Sequence, residues 1–434
     1  MNYSEAVAFL DGLTNYEKAG GYRYDDKNYG LERVRRLLAA AGNPQDRMRS
    51  AVIAGTKGKG STAAMLAAIL TAAGRKTGLY TSPHLVEYRE RIRIGMEPVT
   101  GEQFAALAAG IVEPVERQGR EGESMRPTAF EALTVMALTG FANYGVRDAV
   151  LEVGMGGRLD AVNIVDPAAT GVTPISFDHT DQLGTTIREI AGEKAGVIRT
   201  PAPVVSGSQP EEALQVIRTA CQSVGASLMV VGADIVAENM ELSADGARFD
   251  ARTPGKTYSG LRIRLAGRHQ VDNALAALEL ALVLDAPESA IREGLEKARW
   301  PGRLQLWKTE PRILLDGAHN DASALALAAA IRSIYRPRRL GLVLGMLRDK
   351  DHAAVVSALC PLAECVYLPG LKHPRALPAD ELAAFARRHS SRVIECADTA
   401  EAVARAGAEF GDGGDLVLVT GSLSLVGEVM ATGQ

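Results

Sequence analysis

Ala51-Val52-Ile53-Ala54-Gly55-Thr56-Lys57-Gly58-Lys59-Gly60-Ser61 is the stretch on which the fold turns. A short apolar run enters a glycine-rich turn. Beyond it, over Ser61–Ala73, the apolar residues Leu66, Ile69, Leu70 and Ala73 recur at helical spacing, and Gly74 supplies a stop. Strand, loop and helix in that order make a phosphate cradle. Glycines let successive backbone N–H groups converge on an anion, and the helix N-terminus adds positive potential. Within the loop Gly55, Thr56, Gly58 and Gly60 form the cradle, Lys59 reaches terminal phosphates, and the Ser61 hydroxyl meets phosphate or its magnesium. Gly60 separates Lys59 from that hydroxyl, so the loop is a variant of the strict P-loop pattern. A plain glycine-rich turn is the alternative; the order of elements favours nucleotide.

Outward from the loop, short apolar runs alternate with helical patterns, which predicts an α/β fold with a largely parallel sheet. Strands are expected at Ala51–Ala54, Leu79–Thr81, Asp148–Val153, Ala169–Ser176 and Pro203–Ser206. From Ser227 to His269 alternation around Asp245-Gly246 predicts a small antiparallel insert, followed by a helix over Asn273–Leu284. Trp300-Pro301-Gly302-Arg303 breaks both periodicities and reads as an interdomain linker. A second α/β series follows, with strands at Arg312–Leu315, Gly341–Leu344, Cys365–Leu368, Arg392–Cys396 and Leu416–Thr420 and a helix over Ala322–Ile334.

In sheets of this kind ligands sit beyond the carboxyl ends of the strands. Ser82 and His84, Glu152, and Asp178-His179-Thr180-Asp181 fall there, and with a phosphate loop they describe a nucleotide–magnesium site. Magnesium prefers oxygen ligands, so His179 is an unusual member. Gly154-Met155-Gly156 resembles the start of a dinucleotide fingerprint, but Leu159 stands where its third glycine belongs.

The bulk composition agrees. A chain of 434 residues exceeds one ordinary core, and 47% hydrophobic with 23% charged residues is a globular balance. A net charge of -4 gives no footprint for nucleic acid. Cys221, Cys360, Cys365 and Cys396 form no CxxC pair and read as buried thiols in a reducing compartment. Glu5 and Asp11 interrupt the N-terminal stretch 1–20 where a signal peptide needs an apolar core, and no apolar run reaches the roughly 18 residues that span a bilayer. A cytoplasmic monomer is the default expectation.

Together with the loop, Thr81-Ser82-Pro83-His84-Leu85, Glu90-Arg91-Ile92-Arg93-Ile94, Glu152 to Asn163, Asp178-His179-Thr180, Glu193-Lys194-Ala195-Gly196, Gly267-Arg268-His269-Gln270, Asp316-Gly317-Ala318-His319-Asn320 and Thr420-Gly421-Ser422-Leu423 resemble, in order and across nearly the whole chain, the folylpolyglutamate synthases of the Mur-type ligase family. The resemblance implies a Mur-ligase-like P-loop ATPase domain with a small β insert over residues 1–298. A Rossmann-like glutamate ligase domain over 303–434 would follow, with the active site between them. It implies an ATP-dependent ligase that adds L-glutamate to folates, and to dihydropteroate as well, through an acyl phosphate. Lys59 and Ser61 would hold phosphates; Ser82, Glu152 and His179 magnesium; Asn273, Arg303 and Asp316 ATP; His319 and Ser422 the incoming glutamate. Lys194 matches a lysine that the family can carry as a carbamate.

This chain departs from the family at Lys57, usually asparagine, at Tyr88-Arg89, at Val162, usually threonine, and at Asp321-Ala322, where proline is common. Two other readings compete: a related carboxylate–amine ligase acting on cell-wall or amino-acid-polymer substrates, and a P-loop ATPase that drives a partner.

Overall fold

The computed structural model describes residues 1–18 and 24–433; the last two positions of the N-terminal stretch 1–20 lie outside them. An eight-stranded sheet organises the first part, in the order Glu97–Pro98, Ile92–Ile94, Thr77–Tyr80, Asp148–Glu152, Arg49–Ala54, Ala169–Val172, Val204–Ser206 and Leu228–Val230. Ile92–Ile94 runs antiparallel to both its neighbours, and the remaining pairs are parallel. Both faces are covered, as strands that are buried on every residue require. One face packs helices including Gly101–Arg120 and Ala129–Asn143, and the other packs Lys59–Ala72, Arg268–Val283 and Glu288–Lys297.

Several expectations need correcting. The helix after the loop runs Lys59–Ala72, and every residue from Ser61 to Leu70 is buried, so no amphipathic face exists. The helix lies between the sheet and the two helices of 268–297. A Cβ on Gly294 would stand 2.3 Å from the Ile69 Cα, which fixes glycine there. The strand expected over Ala169–Ser176 ends at Val172. The antiparallel insert begins later than Ser227: Leu228–Val230 is the parallel edge of the large sheet, and the insert comprises Val236–Ser243, Gly246–Arg252 and Thr257–Ile263. The helix expected over Ala322–Ile334 is α-helical over Asp321–Ala330 and continues as one π-type turn to Tyr335.

Gln305–Thr309, absent from the expected strands, opens a second sheet in the order Gln305–Thr309, Arg312–Leu315, Leu416–Thr420, Leu340–Leu344, Cys365–Pro369 and Val393–Cys396, antiparallel only at the first pair. The helix Leu423–Thr432 reaches back to the first part, where a Cβ on Gly427 would meet the Leu85 carbonyl oxygen at 2.0 Å. All four cysteines are buried and free. No helix among the described residues is long and apolar enough to cross a membrane.

Candidate active site

The central strand Arg49–Ala54 ends at Gly55, whose φ of 131° only glycine adopts readily; a Cβ there would lie 2.1 Å from Thr173 Oγ1. Gly58, at φ 86°, begins the next helix without a side-chain cap and sits over Asn273, whose Oδ1 would be 2.2 Å from a Cβ. Asn273 is oriented by donating to Gln270 Oε1 at 3.1 Å. The first N–H groups of a helix have no intrahelical partner, so an uncapped start offers them to an anion. The Ser61 side chain is buried in that first turn.

Around the loop the protein has gathered cations. Lys194, buried in the helix Ile187–Ala195, donates to the Gly55 carbonyl at 2.9 Å; burial, then Lys59, pulls its ammonium down to about 7. Lys57 donates to Asp178 at 2.8 Å, and burial pulls it to about 8 against that carboxylate's attraction. A polyphosphate is the ligand that relieves such a surplus of buried positive charge.

Glu152 closes its strand fully buried. Its carboxylate accepts the Ser82 N–H at 3.2 Å, and burial raises its pKa to about 7 despite Lys59. Ser82 and Glu152 are therefore brought together. His179 stands on a left-handed residue with Nε2 3.9 Å from Asp178 Oδ1, and burial lowers its pKa to about 3, leaving the neutral ring that a metal requires. No trio of His, Cys, Asp or Glu able to hold a metal occurs among the described residues. Of the three expected magnesium ligands the structure pairs Ser82 with Glu152, while His179 lies beside Asp178. His84 does not join it: Arg91 Nε donates to its Nδ1 at 2.9 Å, which leaves the ring proton on Nε2 and no lone pair free.

Arg303 comes from the linker, and Asp316, His319 and Ser422 follow strands of the second sheet. Asp316 accepts the N–H groups of Leu304 and Ala318, both at 2.9 Å, and so ties the linker to a strand end. Arg303 lines the same cavity as Gly60, Ser82, Glu152 and Trp300. His319 lies between two acceptors, with Nδ1 2.8 Å from the Gly317 carbonyl and Nε2 3.8 Å from Asp178 Oδ2; burial lowers its pKa to about 4. Ser422 caps the helix Leu423–Thr432, accepting from Leu425 N at 3.1 Å.

Asp178, grouped in the sequence with the strand-end groups of a nucleotide–magnesium site, is engaged by cations instead. Its carboxylate accepts from Lys57 on the phosphate loop, and from Lys350 at 3.0 Å and Asn320 at 3.1 Å on the second sheet's loops. Burial works against its charge, but the His319 contact with Lys57 and Lys350 holds it far below the usual carboxylate range. Lys350 was missed; it follows a strand of the second sheet at the ligand-bearing edge, the one signal that could have found it. Asp160 uses its carboxylate to fix the glycine-rich turn, accepting from Gly154, Met155 and Val162.

A phosphate loop facing a second α/β sheet across charged strand ends defines an ATP-dependent ligase of the Mur class. Residues 53–281 match the Mur ligase middle domain and 302–423 the Mur ligase glutamate ligase domain. The chain is 34% identical to the dihydrofolate synthase/folylpolyglutamate synthase of Bacillus subtilis, over 92% of this chain and 94% of that protein. Among solved structures it resembles the Mycobacterium tuberculosis folylpolyglutamate synthase complexed with ADP, with a TM-score of 0.91, 32% identity and 99% and 98% of the two chains covered. Escherichia coli FolC in complex with DHPP and ADP superposes at a TM-score of 0.85, with 32% identity and 100% and 97% coverage. The chain belongs to the folylpolyglutamate/dihydrofolate synthase family of Mur ligases.

Proposed function

We propose that this ligase adds L-glutamate both to dihydropteroate and to folates, and that it works as a cytoplasmic monomer. The observation that carries the reading is the shared cavity. Glu152 and Ser82 from one sheet and Arg303 from the linker line it, beside a loop built for phosphates. In this reading the acceptor's carboxylate attacks the γ-phosphorus of ATP and ADP leaves. Glutamate's uncharged amine then displaces phosphate from the acyl phosphate. Phosphoryl transfer of this kind needs positioning and charge neutralisation above all. Lys59, Ser61 and the N–H groups of the uncapped helix start hold the phosphates, with Gly55, Thr56, Gly58 and Gly60 giving them room. Asn273, Arg303 and Asp316 shape the nucleotide's surroundings.

Ser82, Glu152 and His179 would hold magnesium, which neutralises phosphate charge when bound. Lys194 in its uncharged form is the species that takes up carbon dioxide, and as a carbamate it would become an anionic neighbour of that ion. His319 and Ser422 meet glutamate. His319 turns its Nε2 toward Asp178, 3.8 Å from Oδ2, and in this reading the pair positions the incoming amine.

ATP-, magnesium- and glutamate-dependent product formation, followed by mass spectrometry on dihydropteroate and tetrahydrofolate in parallel, tests the reading. One added glutamyl unit on both is expected. A product from tetrahydrofolate alone removes the dihydropteroate activity, and none from either removes the folate assignment.

Magnesium affinity should follow Glu152. Below about 7 its carboxyl is protonated and holds no cation, so affinity is lost as pH falls and gained as pH rises through that value. Between pH 8 and pH 6 the ADP-bound protein should weaken toward magnesium by about tenfold. Glu152→Gln should flatten the slope. An unchanged slope in that variant would assign the titration elsewhere.

A further inference from the structure

The 84–91 segment is locked in place. Glu90 accepts the N–H groups of Leu85, Val86 and Glu87 at 2.9, 2.8 and 2.7 Å, so the loop carrying His84 has little freedom. Behind the ring, Arg91 is buried and held by both oxygens of Glu17, at 2.9 and 2.5 Å, and its Nε donates to His84 Nδ1. Tyr88 packs on the ring at 4.5 Å between centroids and is itself anchored on Asp11. A guanidinium has no lone pair, so the contact admits one arrangement only: Nδ1 accepts and the proton sits on Nε2. His84 lines the cavity with Ser82, Glu152 and Arg303, and among the described residues Nε2 has no hydrogen-bond partner. This ring therefore presents a single, oriented donor without a protein partner to the cavity where the acyl phosphate would form.

We propose that His84 is a further catalytic residue of the ligation, donating its Nε2–H to the substrate oxygen that becomes negative when glutamate's amine adds. The inference rests on the ligase reading above. The uncharged amine nitrogen bonds to the acyl carbon, and the C=O π pair moves onto oxygen, where Nε2–H meets it. Collapse re-forms C=O; the carbon–oxygen bond to phosphate breaks with its electron pair leaving on phosphate, and the remaining ammonium proton passes to solvent. His84 cannot serve as the base, because Arg91 occupies its other nitrogen. Its donor is oriented before the reaction begins, the condition under which such a contact lowers a barrier most.

His84→Ala, His84→Gln and the wild type decide the matter, each assayed for glutamylation of tetrahydrofolate and for ADP binding. Loss of one such donor is expected to lower kcat by about 10²-fold or more. The KM values and the ADP dissociation constant should stay within about threefold, the pattern of an interaction made in the transition state. Gln, which retains an N–H donor, should recover part of the loss, and added imidazole should raise turnover of His84→Ala but not of the wild type. A His84→Ala protein with wild-type kcat, or one whose whole defect lies in ADP binding, overturns the proposal. A wild type that ligates alongside such a variant leaves the ligase reading standing. A wild type that makes no glutamylated product removes both.

Discussion

Lys59→Ala is expected to abolish ligation, with turnover down by about 10³-fold or more, while the protein stays folded. The reason is an electrostatic conflict within the unliganded chain. Lys59 opens its helix, a helix with no acidic residue in its first turn and no side-chain cap. A cation at that end opposes the helix dipole, so its removal costs the fold nothing through that term. It also lies close enough to help depress Lys57 and Lys194, which alanine relieves, and to lower the Glu152 and Asp160 carboxyls, which alanine leaves less compensated. These effects offset one another, so the melting temperature should change little as activity disappears. Normal turnover in the variant would remove Lys59 from the phosphate site, and a lowered melting temperature would contradict the charge argument.

Asp178→Ala should have the opposite signature. This buried carboxylate is shared by Lys57 and Lys350, both largely buried, so its loss strands Lys57 and leaves Lys350 with Asp349 alone, at 3.6 Å. Removing one partner of a buried ion pair costs about 3–5 kcal/mol. Chemical denaturation should show a loss on that scale. Saturating ADP should narrow the gap, because the polyanion supplies charge to the same lysines, and should therefore stabilise the variant more than the wild type. Equal stabilisation of the two by ADP would show that the lysines do not face the nucleotide.

The phosphate loop was legible because its elements are consecutive: an apolar strand, glycines at positive φ and a helix within about twenty residues of chain. Five strands of the second sheet were legible for the same reason, and its antiparallel edge Gln305–Thr309 was not. What escaped was short or distant. Ile92–Ile94 and Glu97–Pro98 are too brief to show an alternation, and Leu228–Val230 merged with the insert beside it. Asp178 gained its place only in three dimensions, since Lys57 and Lys350 lie 121 and 172 residues away along the chain. Gly294 carries no signal in the sequence, because the need for glycine comes from another helix passing through the space of a side chain. His84 was read as a coordinating group; only the position of the Arg91 guanidinium shows which nitrogen bears the proton.

The burial of the helix Lys59–Ala72 on all sides also sets an order of events during synthesis. With no wet face, it has no stable place until Arg268–Val283 and Glu288–Lys297 are available to cover it, and Asn273, under Gly58, belongs to the first of these. A nascent chain therefore carries the complete phosphate-loop sequence for more than half its length without a working nucleotide site. The cell is spared an ATP-binding fragment: competence arrives only after the residues that cover the loop's helix have left the ribosome.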